Sequence, residues 1–313
     1  MRVFVTGASG YIGGAIAVTL VRAGHRVRGL VRNPARADAV AACGITPVIG
    51  ALDHTDLLAA EARAAEATIN AADSDHAGAI AALLSACAGR QLLHTSGISL
   101  LSDDAEGQVS EVVHDETTTP ATHPDKAARA AIDASVLAAA AGGEAFAVIR
   151  NPLIHGDALG PQAASVQLPA LAATALRLGR PRHVGPGRNV WSHAALSDIA
   201  ALYRLLLARG ERGLFYAEAG EADFATLTGA IAKALGQESP LPWSMAQAAA
   251  EWGEQRARHT YGSNCRVRAR RARALGWQPR GESPEAWLMR TLTPRRGGGS
   301  TPSLRPKNTW PSD

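Results

Sequence analysis

Lysine is nearly missing from this chain. Only Lys126, Lys233 and Lys307 carry an ammonium, so arginine supplies almost all the positive charge behind a net +4. The three cysteines, Cys43, Cys87 and Cys265, have no paired spacing. That excludes a disulfide-built scaffold and fits a reducing, cytoplasmic setting. Ten histidines are scattered without an HxxxH or HExxH pair, so no metal site is expected. No apolar run reaches eighteen residues, which excludes a transmembrane helix and leaves no membrane partner. The N-terminus enters a strand directly, without a basic flank and cleavage site, so a signal peptide is not expected. Aromatic residues are scarce at 4%, and none interleave with the one basic cluster, Arg266-Val267-Arg268-Ala269-Arg270-Arg271-Ala272-Arg273. Without stacking residues the cluster is expected to be a solvated helix face, and no nucleic-acid partner follows from it.

What is present is concentrated at the start. Arg2-Val3-Phe4-Val5-Thr6 is a short apolar strand that runs into Thr6-Gly7-Ala8-Ser9-Gly10-Tyr11-Ile12-Gly13. The apolar helix Ala15-Ile16-Ala17-Val18-Thr19-Leu20-Val21 follows. A strand, a three-glycine turn and a helix form a phosphate cradle. Gly7 permits the tight turn, Gly10 lets backbone approach a pyrophosphate, and Gly13 lets the helix lie against the strand. Ser9, Tyr11 and Ile12 belong to the same cradle. Glycine is common in the chain, but the flanking strand and helix supply the context this motif requires.

With 46% hydrophobic residues in 313, the chain can bury a full core in one large or two closely joined domains. Strands are predicted near 2–6, 26–31, 46–49, 67–71, 91–96 and 145–150, alternating with helices near 11–24, 35–43, 54–65, 76–89 and 122–142. Continuous apolar strands such as Phe146-Ala147-Val148-Ile149 suit a parallel sheet covered on both faces. Beyond Arg150 the pattern weakens to helices near 165–179, 197–209, 223–235, 244–252 and 283–292, with short strands near 182–184 and 213–217. The expected class is α/β: a Rossmann doubly wound parallel sheet (1–150) binding the nucleotide, and a smaller, mostly helical substrate-covering lobe (151–293) that could interleave with it. Residues 294–313 read as a disordered tail. The long polar loop from Gly97 to Thr122 leaves the C-terminal end of a sheet strand, where ligands of open α/β sheets bind.

An acid about twenty residues past the glycines would hold the ribose hydroxyls of NAD. The second strand instead ends at Arg32-Asn33, and a guanidinium there suits the 2′-phosphate of NADP. NADP is therefore the expected cofactor ahead of NAD.

These residues resemble the extended and atypical short-chain dehydrogenase/reductase superfamily, also described as NAD(P)-dependent epimerase/dehydratase-like, over most of residues 1–290. Thr6 to Gly13 looks like its TGxxGxxG signature. Asn70-Ala71-Ala72 is similar to the segment after its fourth strand, and His94-Thr95-Ser96-Gly97 to the end of its fifth. Arg150-Asn151-Pro152 through His155-Gly156 resembles the stretch whose backbone meets the nicotinamide. Trp191 to Asp198 resembles a later helix-introducing segment, and Leu275-Gly276-Trp277-Gln278-Pro279 a C-terminal signature. The resemblance implies cofactor contacts from Ala71, Ala72, Ser96, Lys126, Asn151 and Pro152.

The departures bear on chemistry. The family's usual reaction needs a Tyr four residues before a Lys on one helix face, plus a Ser or Thr at strand five. Here Thr122 stands four before Lys126, and Gly97 takes the serine's place. Lys126 is expected to hold the nicotinamide ribose. His123, three before it, is the nearest acid–base candidate, an imidazole that titrates near neutrality. His114, Asp115-Glu116, His155, Thr95, Ser96, Ser99 and His193 are further candidates near the substrate. The leading expectation is NADPH-dependent reduction of a small organic carbonyl or imine, an atypical subgroup lacking the usual Tyr and Ser. The alternatives are a catalytically silent NADP(H) sensor and a sugar-nucleotide epimerase or dehydratase holding NAD. Pairing into a homodimer through two long helices is common in such folds.

Overall fold

Residues 1–118, 122–161 and 165–293 are described by the computed structural model. The expected tail from Pro294, and Thr119 and Pro120 of the long loop, lie outside the described residues. In chain order the first half gives β1 (Arg2–Thr6), α1 (Tyr11–Arg22), β2 (Arg26–Val31), α2 (Ala37–Ala41), β3 (Thr46–Ile49), α3 (Thr55–Ala64), β4 (Ala67–Asn70), α4 (Ala77–Ala86), β5 (Gln91–Gly97), α5 (Ala127–Ala141) and β6 (Ala145–Asn151). The second half gives β7 (Leu153–His155), α6 (Gln167–Leu178), β8 (Arg182–Val184), β9 (Val190–Ala195), α7 (Leu196–Arg209), β10 (Gly213–Tyr216), β11 (Gly220–Asp223), α8 (Phe224–Leu235), β12 (Leu241–Trp243), α9 (Met245–Trp252), α10 (Glu254–Arg256), α11 (Arg270–Ala274) and α12 (Pro284–Leu292).

The main sheet runs β10-β6-β5-β4-β1-β2-β3, and every neighbouring pair is parallel. Parallel strands need crossover helices, and those helices cover both faces, so strand residues are buried whichever way they point. Phe4 is fully buried on one face with Leu58, Leu83, Leu92 and Val148. Its neighbours Val3 and Val5 are buried on the other with Ile16, Leu20, Leu202 and Leu206. Each such side chain contributes about 1.5–3 kcal/mol by leaving water. Strand order reverses between β1 and β4, and the crevice at their C-terminal ends is where such sheets bind ligands.

The chain beyond β6 is interleaved with this sheet. β10 pairs with β6, and α7 packs on α1. The rest contains helices and two small sheets, β11-β9-β7 and β12-β8. β7, β9, β11 and β12 are additions to the predicted strands. Three of them span three or four residues, too few to show a period of two.

The arginine cluster is not a solvated helix face. Only Arg270–Ala274 is helical. Residues 263–269 run extended beside β9, with Ser192 N–H donating to Cys265 O and Cys265 N–H to Val190 O. Arg266 and Arg268 both donate to the Glu221 carboxylate, Arg270 pairs with Asp115, and Arg273 with Glu218. Their acidic partners stand on β11 (Glu221), just before it (Glu218) and in the long loop (Asp115). The loop is fastened to the same segment, since His114 N–H donates to Arg266 O and Arg268 N–H to His114 O. No described helix is long and apolar enough to cross a membrane.

Candidate functional site

Two cavities meet at the switch point. The larger, about 470 Å³, is lined by Gly7, Ser9, Gly10, Arg32, Asp53, Ala71, Ala72 and His76 among others. The second, about 390 Å³, is lined by Gly10, Tyr11, Ile12, Ala71, Ala72 and then by side chains from the ends of β5, β6 and α5. Gly10, Ala71 and Ala72 belong to both walls, so the two form one trough across the glycine turn.

The turn is built for a close approach by an anion. Gly7 has φ +68°, and a Cβ on it would come within 2.5 Å of Ala71 O. A Cβ on Gly13 would come within 2.4 Å of Gly7 O. Thr6 fixes the opposite rim: its hydroxyl donates to Asn70 Oδ1 (2.5 Å) and accepts from Ala71 N–H and Ala72 N–H. α1 begins at Tyr11 with Gly10 as its cap, and no side chain satisfies its first-turn amides. Free amides at a helix N-terminus, in a trough held open by glycine, fit a pyrophosphate.

Arg32 lies exposed at the wall of the larger cavity. Asn33 does not line either cavity; its side chain accepts from Ala35 N–H and caps the turn that follows β2. The same cavity contains an acid that strand-end spacing does not reveal. Asp53, two residues before α3, is held by His76 Nε2 at 3.0 Å.

Asn151 and Pro152 line the second cavity, as do Thr95, Ser96 and Ser99. Ser96 donates to Asp133 Oδ2 at 3.1 Å, and Thr95 Oγ1 accepts from Tyr203 O–H. Asn151 donates to Tyr203 OH while its Oδ1 has no partner. Tyr11 lines the wall with its hydroxyl donating to Gly156 O; burial and the nearby Asp157 carboxylate raise its pKa, keeping the phenol neutral. Behind Ser96 the fully buried Asp133 also accepts from Arg150 Nε (2.8 Å) and faces His94, whose imidazole burial holds neutral with a pKa of about 4.

Lys126 and His123 are not brought to the wall of either cavity. His123 caps and Lys126 ends a 3₁₀ turn, Pro124–Lys126, that precedes α5. Lys126 donates to Gln255 Oε1, and burial and the nearby Arg129 lower its pKa. His123 caps the turn, accepting from Asp125 N–H, and its ring lies edge-on to His259. The side chain that reaches the cavity is Arg129, one turn on. It donates to Ser99 Oγ (3.3 Å) and twice to the Asp75 carboxylate (2.6 and 2.5 Å). Burial opposes its charge, but Asp75 more than restores it, so the guanidinium stays cationic. Sequence spacing puts Arg129 and Asp133 four apart on one face of α5, and Asp133 stands behind the wall residue Ser96.

The remaining candidates lie elsewhere. His155 is buried, with Nε2 against Glu282 O, and packs against His193 and Trp287. His193 is kept neutral by burial, its pKa lowered to about 4. His114 is held in the loop by Arg266 and Arg268, Asp115 by Thr117 and Arg270, and Glu116 by Tyr216 N–H.

Comparison with known proteins agrees with this geometry. The model of the NAD dependent epimerase/dehydratase family matches residues 3–216. An uncharacterized protein of Schizosaccharomyces pombe is 30% identical over 231 residues, spanning 69% of this chain and 74% of the relative. A 4-hydroxy-2-methyl-3-oxo-4-farnesyl-3,4-dihydroquinoline-1-oxide ketoreductase of Stigmatella aurantiaca is 28% identical over 275 residues, 81% of this chain and 80% of the relative. Among solved structures, a dTDP-glucose 4,6-dehydratase of Bacillus anthracis in complex with NAD superposes with a TM-score of 0.72 at 17% identity, over 93% of this chain and 95% of that one.

Proposed function

The chain belongs to the NAD dependent epimerase/dehydratase family, and from that premise we propose that it is an NADPH-dependent oxidoreductase that reduces a small organic carbonyl or imine. The observation that carries this reading is the single trough shared by Gly10, Ala71 and Ala72, with Arg32 at one end and Arg129 with Ser99 at the other. In it the α1 amides would hold the pyrophosphate and Arg32 the 2′-phosphate. Asn151, Pro152, Thr95 and Ser96 would meet the nicotinamide end. Bound there, the nicotinamide supplies hydride to the substrate carbon.

The chain's part is to orient the electrophile and manage its oxygen or nitrogen. Arg129 Nη1 and Ser99 Oγ stand together on the cavity wall, where they can polarise a carbonyl and hold the alkoxide that forms. A guanidinium that stabilises the anion lets water supply the proton, so a phenol of lowered pKa is not required. An iminium is activated already and needs still less. Lys126 and His123 then act from behind the wall, through their hold on the start of α5. The Stigmatella aurantiaca ketoreductase, similar over most of both chains, supports carbonyl reduction as the reaction class.

A silent NADP(H)-binding protein is the second reading. Among the described residues lining the second cavity, the only phenol is Tyr11, which is committed to Gly156 O, and no imidazole is present. NADPH oxidation across carbonyl and imine panels separates the two readings. With an active substrate, Arg129→Gln should lower kcat about 10²-fold, the order lost with a transition-state donor, and leave NADPH affinity within about threefold. An unchanged kcat removes Arg129 from the mechanism. Tight NADPH binding with no turnover on any panel member favours the silent binder.

A further inference from the structure

We propose that His123, Asp125 and His259 bind one divalent transition-metal ion of the zinc class. The site would join the loop after β5 to the π-helical turn Ala257–Tyr261. His259 Nε2 lies 3.1 Å from Asp125 Oδ2, and His123 Nδ1 lies 3.7 Å from the same oxygen. The three donor atoms all fall within 4.8 Å of one another. Bonds of about 2.0–2.2 Å to a tetrahedral ion put donor atoms roughly 3.3–3.5 Å apart. Two of the three separations bracket that value. The third, between the two imidazoles, closes by rotation of His123, which lies on the more open side of the cluster than the buried His259.

Each nitrogen that would not bind the ion faces a second polar group. His259 Nδ1 lies 3.0 Å from Ser102 Oγ, and His123 Nε2 lies 3.8 Å from Asp104 Oδ2. Metal-binding imidazoles are commonly oriented this way, the second nitrogen held by a hydroxyl or carboxylate that fixes tautomer and ring direction. His259 is 98% buried, with its side chain 2% exposed, yet its Nε2 faces the exposed Asp125. The turn that aims it is a π-helix, an uncommon geometry that recurs at functional sites. Two neighbouring cations have other partners: Arg258 binds Asp104 with two bonds, and Lys126 donates to Gln255.

Binding has an identifiable cost and proton balance. In the metal-free state Ser102 O–H donates to His259 Nδ1 and His259 Nε2–H donates to Asp125. With the ion in place the ring carries its proton on Nδ1 and donates to Ser102, so the tautomer changes and no net proton is released from this ring. His123 gives up its acceptance from Asp125 N–H at 3.2 Å. Two imidazoles and one carboxylate leave at least one coordination position for water or a ligand. Thr260 lines the second cavity, so the ion would fix one edge of the proposed active site.

The test uses tag-free full-length protein. After equilibration with zinc and gel filtration, metal content by mass spectrometry should be one ion per chain. Cobalt(II) should give visible absorption of a low-symmetry nitrogen–oxygen site. Asp125→Asn and His123→Ala, both on the open side, should each weaken zinc at least about 100-fold. Ser102→Ala should weaken it about 10–100-fold, as loss of an outer-shell partner does. Unchanged circular dichroism and NADPH affinity would show that these variants fold. Substoichiometric zinc in the parent overturns the proposal, and so does stoichiometric zinc that Asp125→Asn and His123→Ala leave unaffected.

Discussion

A methyl group on Gly13 should strongly weaken nucleotide binding, whereas the same methyl on Gly229 should strengthen the fold. Both glycines lie within helices, so alanine in place of glycine offers each about 0.8–1 kcal/mol of helix propensity. At Gly229 nothing lies within 4 Å of the added Cβ, and that gain should appear in full. At Gly13 the Cβ would stand 2.4 Å from Gly7 O, 2.8 Å from Gly7 C and 3.0 Å from Thr6 O. All three are backbone atoms, so no side chain can swing aside. The turn has little room behind as well, since a Cβ built on Gly7 would itself stand 2.5 Å from Ala71 O.

Overpacking of this kind costs about 1–3 kcal/mol. Set against the propensity gain, Gly13→Ala should lose roughly 0–2 kcal/mol of stability. Its larger effect should be on binding, since relief requires α1 to move off β1 and carry its first-turn amides away from the pyrophosphate. Urea unfolding and NADPH fluorescence titration read the two effects separately. The expected result is at least about 100-fold weaker NADPH for Gly13→Ala, equivalent to losing two charge-assisted bonds of about 1.5 kcal/mol each. Gly229→Ala should bind as the parent does and unfold at higher urea. A folded Gly13→Ala protein with affinity within about threefold of the parent would refute the cradle argument.

Arg32→Ala should weaken NADPH about 10–100-fold, the loss of a charged hydrogen bond of about 1.5–3 kcal/mol, while changing NADH little. Equal losses for both would show that Arg32 does not read the 2′-phosphate. Stability should also fall in mild acid. His94 and His193 have folded pKa values of about 4 against 6.5 when exposed, so the unfolded chain binds more protons as pH falls. Their contribution is fully present above pH 6.5 and is lost progressively down to about pH 4. From pH 7.5 to 5 each ring should cost about 2 kcal/mol. His94→Gln, assayed by urea unfolding at both pH values, should show about that much less acid sensitivity than the parent; an unchanged pH dependence would mean that His94 is not buried neutral.

The sheet was legible because its rules are local. A run such as Phe146-Ala147-Val148-Ile149, bounded by glycine before and a helix pattern on either side, can do little except form a covered parallel strand. The glycine turn was legible for the same reason, as φ and close approach are properties of the residue itself. In the second half β8 and β10 stand where short strands were expected, but β7 and β12, three residues each, were not legible, because they gain their pairing from segments far away in sequence. The arginine cluster was misread on similar grounds. Charge spacing along 266–273 suggests an exposed face, and only the fold brings Glu221, Asp115 and Glu218 against it.

The chemical half of the site shows where spacing arguments lose their hold. Counting back from Lys126 assumes that lysine and its neighbours continue one helix, so that residues four apart share a face. Pro124 instead starts a 3₁₀ turn, with three residues per turn and a longer rise per residue, and α5 begins only at Ala127. The helical phase that faces the sheet is set by the buried side of α5, which contains Ile132, Asp133 and Val136. One turn back from Asp133 on that face stands Arg129, held against Ser99 by Asp75, while Lys126 lies off the helix and meets Gln255. Distance along the chain hid the metal candidates in the same way, since His259 is 134 residues from Asp125. A motif whose parts lie within one strand–turn–helix unit can be read from the residues, whereas one assembled at the start of a helix depends on where that helix begins.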